Sequence, residues 1–125
     1  MKELTLVIPA KFESESLPKV LTELNKISVK IIVVMPKDDL LTFNSAKKFN
    51  CKIIFQKKNG YGSALKQGIL SVKTKYFCIF NADGSFNPIE LNDMYKKINE
   101  NNIDIIFASR YEKNCSSEDD TFITY

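Results

Sequence analysis

The most constraining feature of this chain is a regular exchange of two periodicities. Short apolar runs rich in Val and Ile occur at Leu4–Pro9 (LTLVIP), Lys30–Met35 (KIIVVM), 52–56 (KIIFQ), 76–80 (YFCIF) and 103–108 (IDIIFA). A brief apolar run with little polar alternation reads as a strand covered on both faces. Between these runs the apolar residues return every three or four positions, the spacing of a helix. Leu17, Val20, Leu21, Leu24 and Ile27 share one side of a helix expected over 16–27, and Ser14 or Ser16 is placed to cap it. A second helix is expected over 38–49, with Leu41, Phe43, Ala46 and Phe49 as its apolar contacts, and a third over 61–72. A fourth is expected over 87–99: Asn87 caps it, Pro88 takes the first helical position and Glu90 completes a capping-box-like pattern. Leu91, Met94, Tyr95 and Ile98 form its apolar stripe. Residues 109–125 show no pattern that assigns them. Strand and helix in alternation imply an α/β fold: a mostly parallel sheet with right-handed crossovers and helices on both faces.

Length and composition narrow the chemistry. At 125 residues the chain is the size of one domain. Such a chain buries about two thirds of its unfolded surface, so it needs no disulfide or metal staple. The odd set of Cys51, Cys78 and Cys115 shows no CxxC spacing and reads as reduced thiols. The net charge of +3 comes from evenly spread residues, 17 Lys and the single Arg110 among the cations, which argues against nucleic acid as a partner. No apolar run approaches the length of a membrane span, and MKELTLVIPA lacks the basic-then-apolar layout of a signal peptide. The expected location is the cytoplasm, including the cytoplasmic face of the membrane. The chain has no His. That removes the commonest general base and zinc ligand and excludes Ser-His-Asp and Cys-His catalysis. Carboxylates, lysines, hydroxyls, backbone amides or a hard metal ion remain.

In open parallel sheets, ligands bind beyond the carboxyl ends of the strands. The loops that follow the strands are therefore where function is expected. In the first, Pro9 ends the strand and Glu13 follows. Glu13 either accepts hydrogen bonds from a ribose or base, or, with Glu15, favours the next helix through its dipole. In the second, Asp38 and Asp39 either cap the following helix or bind a ligand. In the third, Gly60 and Gly62 at a helix start let backbone amides approach a phosphate, with Lys57 and Lys58 nearby. The spacing is neither that of a P-loop nor of a dinucleotide fingerprint, and a plain turn is the alternative. In the fourth, Asn81, Ala82, Asp83, Gly84 and Ser85 follow the strand tip. Asp83, with Asn81 two residues before and Ser85 two after, suits a hard cation such as Mg²⁺ or Mn²⁺ shared with phosphate oxygens; an Asx turn is the alternative. In the fifth, Arg110 is either a surface residue or a diphosphate clamp. Together the loops place a carboxylate, a glycine turn, a metal-competent aspartate and an arginine along one edge, which suits a nucleotide diphosphate with a metal.

Four segments carry a family resemblance. LTLVIPAKFESESLP resembles the opening VIPAYNE-x-x-x-L of the GT-A family 2 glycosyltransferases. KNGYGSALKQGI resembles their N-x-G-x-G-x-A-L-x-x-G-I segment, NADGSFNP their D-A-D-G-x-x-x-P, and ASRY their G-S-R-Y. Order and spacing match over nearly the whole chain, and the likeness is greatest to polyprenyl-phosphate sugar transferases of the dolichol-phosphate mannose synthase type. The resemblance implies a Rossmann-like GT-A fold. It implies that Pro9, Glu13, Asp38, Gly60, Gly62, Asn81, Ala82 and Asp83 line the nucleotide site. Asp83 would hold Mg²⁺ or Mn²⁺, with Ser85 secondary, and Arg110 would face the donor diphosphate or the acceptor phosphate. The implied reaction is inverting transfer of a sugar from a GDP- or UDP-sugar to a polyprenyl or dolichyl phosphate.

The sequence departs from the family at defined places. Lys11-Phe12 stands where Tyr-Asn is usual, Met35-Pro36 where two aspartates are usual, and Asn81 where the metal motif begins with Asp. Residues 1–125 are expected to form a single donor-binding domain, with 110–125 opening an acceptor-side region that the family continues. A missing C-terminal region or a membrane-protein partner would complete it. The competing reading is a non-catalytic nucleotide-sugar-binding or interaction module. A nucleotidyltransferase would need glycines in the first loop, which has none. A phospho-acceptor domain would need an aspartate where Gln56 and Lys57 end the third strand.

Overall fold

The computed structural model describes residues 3–84, 90–101, 105–107 and 122–123, from residue 98 onward by backbone only. The elements alternate as the periodicity requires: β1 Leu4–Pro9, α1 Leu17–Leu24, β2 Lys30–Met35, α2 Leu40–Ala46, β3 Lys52–Phe55, α3 Tyr61–Leu70, β4 Tyr76–Ile79, α4 Glu90–Asn101, β5 Ile105–Phe107 and β6 Phe122–Ile123. The sheet order is β3-β2-β1-β4-β5-β6. β1 pairs in parallel with β2 and β4, β2 with β3, and β4 with β5; β6 runs antiparallel beside β5. β6 falls in the segment that periodicity left unassigned, because two residues are too few to show a period.

The central strands are mostly apolar because both of their faces are covered. Leu4, Leu6 and Ile8 of β1 and Ile31, Val33 and Met35 of β2 join one core with Leu17, Leu21 and Leu24 of α1, Ala46 of α2 and Leu91 and Met94 of α4. The alternate residues Val7, Ile32 and Val34 meet Ala64 of α3 on the opposite face. α1, α2 and α4 thus pack on one side and α3 on the other. Leu17, Leu21 and Leu24 are fully buried, each stabilising by roughly 1.5–3 kcal/mol over an exposed side chain.

The helices are shorter than expected at most ends. α1 stops at Leu24 and Ile27 enters through a turn, its N–H donating to the Leu24 carbonyl at 3.1 Å. Ser16 stands at the cap position of α1, but its hydroxyl makes no capping bond. It donates elsewhere, as described below. Leu41 does not contact the core. It is 73% exposed, whereas Ala46 is buried and Phe43 and Phe49 pack partly on the core. The turn of α2 directs Leu40 and Leu41 to solvent and Thr42 inward. The cap expected at Asn87 and Pro88 lies outside the described residues. Cys78 is buried and Cys51 partly so; Cys115 lies outside the described residues.

Candidate functional site

Four successive loops at the carboxyl edge of the sheet enclose an open cleft of about 660 Å³, within the range of small-molecule sites. The first loop contributes Pro9 and Glu13, the second Asp38, the third Gly60, and the turn after β4 Asn81, Ala82 and Asp83. These expected positions, scattered in sequence, meet on one surface. Gly62 does not line the cleft. It lies one residue inside α3, while Gly60 occupies the bend before it. Ser85 and Arg110 lie outside the described residues. Lys11, Phe12, Gln56, Asn59 and Tyr61 also line the cleft. The sequence did not mark these side chains as site residues, although Lys11, Phe12 and Gln56 stood out on other grounds; their signal was adjacency to Pro9, Glu13 and Gly60.

The second loop divides its two aspartates between two tasks. Asp38 faces the cleft, and Asp39 is buried at 6% exposure. The Asp39 carboxylate accepts the Thr42 N–H at 3.3 Å, capping α2, and the Phe12 N–H at 2.7 Å. The Thr42 hydroxyl in turn accepts the Glu13 N–H at 3.1 Å. Asp39 and Thr42 therefore seize two successive amides of the first loop. That grip holds Phe12 in the left-handed region, φ 57°, a conformation costly for a bulky side chain. Burial pushes the Asp39 carboxyl up. Hydrogen bonds from the Phe12 amide and from the Thr42 hydroxyl and amide outweigh burial and hold it below its ordinary value.

The first and fourth loops are joined by Ser16. Its hydroxyl lies 2.7 Å from Glu13 Oε2 and 2.8 Å from the Ala82 carbonyl, with one proton to share between them. Glu13 is thereby oriented from both ends, its amide by Thr42 and its carboxylate by Ser16. The third loop is braced by amide side chains. Gln56 Nε2 donates to the carbonyls of Lys58 at 3.0 Å and Gly60 at 3.1 Å. Gln67 accepts the Lys57 N–H at 3.0 Å and donates to the Phe55 carbonyl at 2.8 Å. Gly60 has φ 107°, which only glycine adopts cheaply. Lys57 and Lys58 are exposed and do not line the cleft.

The cleft wall carries the carboxylates Glu13, Asp38 and Asp83 against the single cation Lys11 among the described residues. An anionic diphosphate would enter such a wall only with a counter-cation. The described residues contain no group of three His, Cys, Asp or Glu side chains able to chelate a metal by themselves. The hard oxygens of Asp83 and Asn81 fit a cation whose remaining ligands are phosphate and water.

Comparison with known proteins adds an independent line. The profile of "Glycosyl transferase family 2" matches residues 5–123. An uncharacterized glycosyltransferase of Mycobacterium bovis is 28% identical over 96 residues, covering 77% of this chain and 44% of that protein. An uncharacterized protein of Methanocaldococcus jannaschii is 31% identical, covering 86% of this chain and 52% of that one. A dolichyl-phosphate beta-glucosyltransferase of Dictyostelium discoideum is 31% identical, covering 86% of this chain and 39% of that one. The chain thus spans about half the length of these relatives or less. The crystal structure of S. aureus TarS superposes with a TM-score of 0.64 at 17% identity over 82% of this chain and 34% of TarS, a likeness of fold.

Proposed function

The chain belongs to glycosyl transferase family 2, and from that premise we propose that it binds a nucleotide-diphosphate sugar in the cleft and transfers the sugar, with inversion, to a polyprenyl or dolichyl phosphate. The observation that carries this reading is the convergence of Pro9, Glu13, Asp38, Gly60, Asn81, Ala82 and Asp83 on one cleft wall. The likeness to a dolichyl-phosphate beta-glucosyltransferase supports the acceptor class.

In this reading Glu13, fixed at both ends, accepts hydrogen bonds from ribose hydroxyls or base N–H groups, and Asp38 lines the same cleft. Gly60 lets the backbone approach the donor. Asp83, with Asn81 beside it, would hold Mg²⁺ or Mn²⁺ against the diphosphate, with Ser85 a further oxygen. The metal when bound neutralises charge on the departing diphosphate. Arg110 is assigned to the same charge or to the acceptor phosphate. An acceptor phosphate oxygen forms the new bond to the anomeric carbon as the bond to the donor diphosphate breaks, and the nucleoside diphosphate leaves. The acceptor is already an anion near neutral pH, so no protein base is required and the missing histidine is no obstacle. The chain's own contribution is alignment and electrostatic stabilisation.

The inward turn of Asp39 and the uncharged Asn81 favour one second reading, a module that binds the donor without transferring it. Thermal unfolding with GDP- and UDP-sugars and Mn²⁺ or Mg²⁺ tests both. The proposal expects stabilisation by one donor class, dependent on metal and lost in Asp83→Asn. Absence of stabilisation by any donor, or a metal-dependent shift that survives Asp83→Asn, overturns the site assignment. Donor binding without transfer to a polyprenyl phosphate, in a chain extended to the length of its relatives, selects the second reading.

A further inference from the structure

The exposed apolar side chains of this protein are unevenly distributed. Among the described residues, the large ones in contact with solvent are Phe12 (76%), Leu40 (65%), Leu41 (73%), Phe55 (40%), Tyr61 (60%) and Leu70 (76%). Leu70 ends α3 and lies toward the opposite edge of the sheet. The others stand at the carboxyl edge: Phe12 in the first loop, Leu40 and Leu41 opening α2, Phe55 ending β3 and Tyr61 opening α3. Phe12 and Tyr61 line the mouth of the cleft. The Phe12 amide is bonded to Asp39, the residue directly before Leu40, so the first loop and the start of α2 are held side by side. Phe55 packs on the Phe43 ring at 5.5 Å between centroids; Phe12, Leu40, Leu41 and Tyr61 are outside the core clusters.

The charges at this edge are sorted. The carboxylates of Glu13, Asp38 and Asp83 line the cleft. Lys37, Lys57 and Lys58 are exposed and stand outside it, on the same loops as the apolar side chains. Lys11 Nζ sits 5.5 Å over the Phe12 ring. Glu15 is the exposed acidic residue of the first loop that does not line the cleft. The outer rim therefore presents protruding apolar tips beside ammonium groups. Protein partners are met by flatter apolar patches depleted of lysine. Apolar tips flanked by lysines suit the headgroup region of an anionic bilayer, where the tips enter the acyl boundary and the lysines stay at the phosphates.

We propose that this rim, formed by Phe12, Leu40, Leu41 and Tyr61 with Lys37, Lys57 and Lys58, is a docking surface for an anionic phospholipid bilayer. Docked there, the mouth of the cleft faces the membrane. The proposal deepens the lipid-phosphate reading above by naming the surface that meets the lipid phase. It is measured without nucleotide, so either can fail alone.

The test is flotation of the 125-residue chain with vesicles of phosphatidylcholine, alone or mixed with phosphatidylglycerol, at low and high salt. The expected result is binding to the mixed vesicles that weakens with salt. Leu40→Gln/Leu41→Gln, at positions outside the cleft, should weaken binding roughly tenfold or more. Lys57→Glu/Lys58→Glu should weaken it by about tenfold or more as well. Both variants should keep the melting temperature of the parent, which separates lost docking from lost folding. Failure to float with mixed vesicles at low salt overturns the proposal, as does equal binding by the Leu40→Gln/Leu41→Gln variant. Self-association that this variant abolishes also overturns it, by assigning the rim to a second copy of the chain.

Discussion

At the scale of single residues, the decisive side chain is Asp39. It caps α2 and holds the Phe12 amide, while Thr42 holds the Glu13 amide. Asp39→Asn keeps the volume but loses the charge that both amides bond. It is expected to destabilise the fold by about 1–3 kcal/mol, read from the denaturant midpoint. Because the native carboxyl is held below its ordinary value of 3.8, its contribution is present above that value. It is lost as the pH falls through the depressed one. Asp39→Asn should therefore flatten the acid limb of the stability profile. Thr42→Val should leave Asp39 charged yet weaken donor binding, because it frees the Glu13 amide. Cys78 makes a different kind of prediction. Burial pushes its thiol up to about 12, so it stays protonated near neutral pH. Iodoacetamide should leave it unmodified in the folded chain and label it in urea, as mass spectrometry would show.

At the scale of elements, α3 packs tightly against the sheet at Gly68. A Cβ at Gly68 would lie 2.5 Å from Val7 Cγ1 and 2.9 Å from Val34 Cγ2. Gly68→Ala gains about 1 kcal/mol of helix propensity but overpacks the interface by about 1–3 kcal/mol. The expected net is destabilisation. The double variant Gly68→Ala/Val7→Ala should show a favourable coupling in a double-mutant cycle, because the second change removes the nearer of the two clashes. The strands and helices other than β6 were legible in the sequence, since each is encoded by a local period of burial. Their ends were less so. Ile27 has the spacing of α1 yet lies in the turn after it, and Leu41 is apolar yet exposed, because helix spacing does not state how far a helix extends or what stands opposite each face.

At the scale of the molecule, fold and ligand are linked. A donor present at a hundred times its dissociation constant adds about 2.7 kcal/mol to stability. For a chain of this size that raises the melting temperature on the order of 10 °C, with metal required for the full shift; differential scanning fluorimetry measures it. The sequence by itself determined the alternation of strand and helix, and with it the edge on which the loops converge. It also picked out about half of the cleft wall, because residues that follow successive parallel strands must meet. Tertiary structure decided what those residues do there. It turned Asp39 inward and left Asp38 in the cleft, chose Gly60 over Gly62, and took Ser16 from its helix to join Glu13 to Ala82. It also gathered the exposed large apolar side chains of the described residues, Leu70 apart, at the carboxyl edge of the sheet. The reason is physical. Burial periodicity is a local property of a chain, whereas a bond from Phe12 to Asp39 spans 27 residues and exists only once the sheet and helices have packed.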